Sequence, residues 1–97
     1  MTSEPDYRQY VTVAIQREVD VVGHEQAIAL ANDVEGLTVT DDGEIRSLRQ
    51  PGETVLESLV EQYKHASGEI AAFVIARRLE NVIEDPSVLP ENVRRHI

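Results

Sequence analysis

Apolar residues recur at helical spacing along most of the chain. Tyr7, Tyr10, Val11, Ala14, Ile15 and Val22 follow one another at intervals near three and four, and Arg8, Gln9, Thr12, Gln16 and Asp20 fill the gaps. That pattern predicts an amphipathic helix with one buried face. Ser3, Pro5 and Asp6 read as its start, with Ser3 as the cap and Pro5 in the first turn. A short strand competes at residues 10–16, because Val11, Val13 and Ile15 alternate and are β-branched. The polar stripe favours the helix.

Gly23 breaks the pattern. Ala27, Ile28, Leu30, Ala31 and Val34 then predict a second helix, closed by Gly36. Leu37 to Thr40 and Glu44 to Leu48 alternate around Asp41-Asp42-Gly43, which is a hairpin signal. Leu37, Val39 and Ile45 would share its inner face. Gln50-Pro51-Gly52 is a turn, and Thr54 with Glu57 reads as a capping box. Val55, Leu56, Leu59, Val60 and Tyr63 mark the inner face of a third helix, which Ser67-Gly68 interrupts. A fourth helix runs from Ile70 to Ile83 and stops before Asp85-Pro86.

The order is helix, helix, β-hairpin, helix, helix. The expected fold class is α+β, mostly helical, in a single domain over residues 1–97. Its ordered core covers about residues 4–85, and about 86–97 form a C-terminal tail with one turn after Pro90. At 97 residues and 41% hydrophobic, the chain can fill one modest core. A lone two-stranded hairpin is marginal in water. It must pack on the helices or pair with the hairpin of a second copy, which makes a homodimer a candidate.

The fourth helix is apolar nearly all round in its first half, as a central or interfacial helix would be. Phe73, Ile75, Ala76 and Leu79 are the candidate self-association residues, and Phe73, the single Phe, is also a candidate core anchor. The longest apolar run, residues 70–76, has seven residues, far short of the roughly 18 that span a bilayer. The acidic N-terminus lacks the features of a secretory signal. No membrane is expected, and the expected location is cytoplasmic.

Charge changes the picture more by kind than by size. Eighteen acids face nine bases, for a net charge of -9. Eight of the bases are Arg and only Lys64 is Lys, while twelve of the acids are Glu. Cys is absent, which excludes disulfides and thiolate metal sites. Salt at 1 M shortens the Debye length to about 3 Å, so dense surface acids repel one another little there. In this composition and layout the chain resembles small proteins of halophilic archaea. The resemblance implies a salt-rich cytoplasm and carries no site residues.

Candidate chemistry is sparse. His24, His65 and His96 lie far apart, and none has a second His one helical turn away. Zinc-type sites need about three or four converging ligands, so no metal is expected. Asp41-Asp42-Gly43-Glu44 is too short for a calcium loop of about twelve residues. No serine sits in a Gly-x-Ser-x-Gly elbow, and no Gly-rich phosphate loop is present. Glu57 and Glu61 lie one turn apart and read as a solvated acidic face. No enzyme activity and no cofactor are expected.

The first two helices loosely resemble a helix-turn-helix, and helix followed by hairpin resembles a winged helix. Arg46 and Arg49 on the wing strand, with Arg94 and Arg95 near the C-terminus, are the candidate nucleic-acid or partner contacts. Residues 18–45 carry no Lys or Arg, yet phosphate contacts need cations. Nucleic acid is therefore not the expected partner. Arg77 and Arg78 sit near Glu80 and Glu84, where neutralising acids is the plainer role. The favoured reading is a non-catalytic interaction or regulatory module, with self-association as a candidate. A transcription-associated DNA-binding protein is the alternative.

Overall fold

The computed structural model describes residues 6–97. Helix α1 (Tyr7–Val22) holds the apolar stripe in helical form throughout, so the strand reading of residues 10–16 does not apply. Tyr10, Val11, Ala14, Ile15 and Glu18 all point inward. That stripe finds partners in three helices, which a short strand could not contact at once. The Asp6 carboxylate caps the helix by accepting the Gln9 N–H at 3.1 Å. The expected start at Ser3 and Pro5 lies outside the described residues.

Helix α2 (His24–Asn32) ends four residues before Gly36. Asn32 has a different task. Its amide donates to the Val39 carbonyl and accepts the Val39 N–H, at 3.2 and 2.8 Å. It thereby satisfies both backbone groups of Val39, an edge position of the hairpin. Strands β1 (Leu37–Val39) and β2 (Ile45–Leu48) pair antiparallel, with Leu37 opposite Leu48 and Val39 opposite Ile45. A bulge falls between Thr38 and Val39. Residues 40–44 connect the strands, closed by the Thr40 N–H donating to the Glu44 carbonyl at 2.8 Å. The Gly43 N–H donates to the Thr40 carbonyl, and Gly43 takes φ +85, which explains the glycine after two aspartates.

The inner face of the hairpin is as expected, since Leu37 and Val39 are buried and Ile45 packs against the core. On the other strand, the Arg8 guanidinium donates to the Ile45 carbonyl at 3.0 Å. The support that a lone hairpin needs is thus supplied within the chain, by α2, Asn32 and Arg8.

Helix α3 (Gly52–Ser67) begins two residues before Thr54, and no side chain caps it. The Thr54–Glu57 capping box therefore does not form. Packing decides the start instead. A Cβ on Gly52 would come within 2.3 Å of the Tyr7 side chain, so only glycine lets the backbone lie against it. Val55, Leu56, Leu59, Val60 and Tyr63 are all buried, as their spacing predicts. Gly68 separates α3 from α4 (Glu69–Glu80). Helix α4 stops short of Ile83, because the N–H groups of Asn81 and Val82 turn back to the carbonyls of Arg78 and Leu79.

Residues 86–97 are not a free tail. They form a 3-10 turn (Pro86–Val88) and a short helix α5 (Glu91–Arg94), the turn expected after Pro90. Leu89, just before α5, and Val93, within it, are fully buried. The Tyr7 hydroxyl donates to the Val88 carbonyl at 2.6 Å. Asn92 donates to the Glu57 carbonyl and to a Glu61 carboxylate oxygen, at 3.0 and 2.9 Å. Helix α1 packs on α2, α3 and α4, and α5 closes against α3 and α4. The whole is a single α+β domain in the expected order, and none of its described helices is long and apolar enough to cross a membrane.

Candidate functional site

Helix α4 splits the candidate self-association residues between its two faces. Ile75, Ala76 and Leu79 are fully buried, with Ala71 and Ala72. They are core residues and offer nothing to a second chain. Their spacing puts them on one stripe, and Phe73 falls off it. Phe73 is 43% exposed and Ile70 is 59% exposed. Phe73 is therefore not the core anchor. Tyr63, Leu56 and Leu59 fill that place, all from α3.

The outward stripe of α4 runs Glu69, Ile70, Phe73, Arg77. The Arg77 guanidinium carbon lies 5.2 Å from the Phe73 ring centroid, a cation–π arrangement. The His96 ring meets Phe73 edge-on, with centroids 6.3 Å apart. Phe73 is thus held in place while much of its ring stays in water. Glu69 accepts from His96 and from Lys64, each at 2.9 Å. Lys64 also reaches Glu61 at 3.2 Å. This chain of contacts ties α3, α4 and the C-terminus together. The Asn92 amide, with Lys64, holds the Glu61 carboxyl below its ordinary range. Lys64, with His96, does the same to Glu69, and the two glutamates raise Lys64.

The candidate partner-contact arginines lie on or just after two elements, β2 and α5. Arg46 is exposed on β2. Arg49 is also exposed and lies along the outer face of the hairpin, donating to Thr38 Oγ1 at 3.0 Å and to Ser47 Oγ. Arg94 is exposed at the end of α5, and Arg95 lies 3.7 Å from Glu91. Helix α2, the would-be recognition helix, begins with His24 bonded through Nε2 to the Asp41 carbonyl at the hairpin tip. His65, Glu57, Glu61 and Glu91 line an open depression of about 480 Å³ between α3 and α5. There Glu61 is already engaged by Asn92 and Lys64. Among the described residues, no three His, Asp or Glu side chains gather in a metal-binding cluster.

One group escaped the sequence reading. Glu18 is fully buried. It accepts one hydrogen bond, from Ser67 Oγ at 2.9 Å, and its Oε1 has no partner. Burial pushes its carboxyl above the ordinary carboxylate range, and the Ser67 bond offsets only part of that. Tyr63 lies nearby, its hydroxyl donating to the Ala27 carbonyl at 2.9 Å. The signal was present in the spacing, because residue 18 continues the stripe of Tyr10, Val11, Ala14 and Ile15.

No family model, curated protein or solved structure matches the chain.

Proposed function

We propose that this protein is a non-catalytic interaction module whose working surface is the outer face of α4, and whose occupant is a second copy of the chain. The observation that carries the reading is the exposed pair Ile70 and Phe73 with opposite charges at its two ends. Glu69, Phe73 and Arg77 are spaced i, i+4, i+8 along one stripe. A second α4 laid antiparallel across a twofold axis brings Phe73 against Phe73 and Glu69 of each copy against Arg77 of the other. That is the self-complementarity an isologous interface requires.

Burying a large apolar side chain contributes about 1.5–3 kcal/mol, and a symmetric contact counts each of Ile70 and Phe73 twice. The cost of association takes back a large part of that sum. The expected dimer is therefore of moderate affinity and depends on concentration. The acid excess fits the same module working in a salt-rich cytoplasm, where screening lets two acidic surfaces approach. The DNA-binding alternative has less support. Arg49 is engaged within the hairpin, Arg95 faces Glu91, and α2 brings no cation.

Size-exclusion chromatography with light scattering, run across a concentration series, tests this directly. The wild type shifts from monomer towards dimer, and Phe73→Asp stays monomeric with unchanged helicity. A wild type that is monomeric at every concentration overturns the reading.

A further inference from the structure

We propose that Arg17, Arg77 and Arg78 form a binding site for a phosphate dianion, free or as the end group of a small monoester. The three side chains come from two helices and line one cleft of about 240 Å³, with Val74 and Asn81 completing its wall. Three of the nine bases of an acidic chain thus converge at a single place.

Arg17 is the informative member. Its Nη1 pairs with Asp20 at 3.2 Å, but its Nε is buried and has no hydrogen-bond partner. A buried donor on a charged group without an acceptor is both rare and costly. Arg78 is exposed and makes no ion pair among the described residues. Arg77 is steadied by Glu80 at 3.3 Å and by the Phe73 ring. Asp20 and Glu80 thus orient two guanidinium groups from the sides. Such exposed pairs are weak and yield readily to a better acceptor.

Arg77 and Arg78 in the last turn of α4 also suit the negative end of the helix dipole. That role does not account for Arg17, which reaches the same cleft from α1. A phosphate suits the guanidinium N–H groups that these three arginines present along the cleft. It offers close to two negative charges and three acceptor oxygens, where a carboxylate would satisfy a single guanidinium fork. A second depression of about 360 Å³ adjoins and shares Arg17 and Arg78, with His24 and Asp42 on its far side. It gives an organic substituent room to lie.

The test is an NMR titration of the full chain at fixed ionic strength, following arginine side-chain N–H signals and backbone amides. The probes are inorganic phosphate, phenyl phosphate and acetate. Both phosphates should give saturable shifts at Arg17 and Arg78, and acetate should bind at least about tenfold more weakly. Tighter binding of phenyl phosphate assigns the site to monoesters, and equal binding assigns it to the free anion. Arg78→Gln should weaken phosphate at least about tenfold, and Arg78→Lys should recover only part of it. Arg78 is exposed, so both variants should fold, and a melting curve checks that. Ile70→Asp, on the self-association surface and outside the lining of the cleft, should bind phosphate normally, which separates the two sites. Absence of saturation, equal binding of acetate, or full binding by Arg78→Gln overturns the proposal.

Discussion

Removing the buried carboxyl of Glu18 should stabilise the protein at neutral pH. The side chain is fully buried, yet it receives a single hydrogen bond, from Ser67, and Oε1 has none. A buried acceptor left unsatisfied costs about 1–3 kcal/mol, and more when charged. Leucine is close in size and carries no polar atom, and Ser67, only half-buried, can turn its hydroxyl to water. Glu18→Leu should therefore gain about 1–3 kcal/mol at pH 7. In a domain of this size each kcal/mol raises Tm by about 4–8 °C.

The sign of the pH dependence follows from burial. The folded-state pKa of Glu18 lies above its ordinary value of 4.5. The folded protein therefore binds more protons than the unfolded chain in the window above 4.5, and this group's contribution to stability falls as pH rises through the folded pKa. Glu61 and Glu69 act in the opposite sense. Their folded pKa values are lowered, so the stability they contribute is lost as pH falls below 4.5. The two effects occupy different windows. Urea melts followed by circular dichroism at several pH values between 5 and 8 should show a downward slope in the wild type relative to Glu18→Gln, which keeps the Ser67 bond without the charge. A loss of stability in Glu18→Leu at pH 7, or the same slope in wild type and Glu18→Gln, would refute the reasoning.

Two further predictions concern the C-terminus and the charge excess. Leu89→Ala should cost about 2–5 kcal/mol in urea unfolding, since Leu89 is fully buried; a change within about 0.5 kcal/mol would mean the segment is a dispensable tail after all. If the excess of eighteen acids over nine bases suits a salty cytoplasm, Tm should rise markedly between low and molar KCl, and a flat profile would assign the excess another cause.

The element order was legible because local spacing carried it. Val55, Leu56, Leu59, Val60 and Tyr63 are buried as their period demands, and Gly23, Gly43 and Gly68 all take positive φ at breaks. What local pattern could not carry is set by contacts distant in sequence. The start of α3 depends on Gly52 lying against Tyr7, and the last residue of α2, Asn32, uses its side chain to serve Val39. The last twelve residues looked polar and short, yet Leu89 and Val93 complete the core against helices laid down much earlier. On α4, apolar residues nearly all round hid which ones face inward. Phe73 has the size of a core residue but lies off the stripe of Ala72, Ile75, Ala76 and Leu79. Arg17 and Arg78 lie sixty-one positions apart, so only the tertiary structure brings them to one cleft.

The central claim, an antiparallel α4 pair, is tested most directly by a charge swap read by sedimentation equilibrium. In a symmetric dimer Glu69 of each copy faces Arg77 of the other. Glu69→Arg alone should push the protein towards monomer, and Glu69→Arg combined with Arg77→Glu should restore the dimer. A wild type without dimer, or a dimer indifferent to the single change and to the swap, would contradict that arrangement.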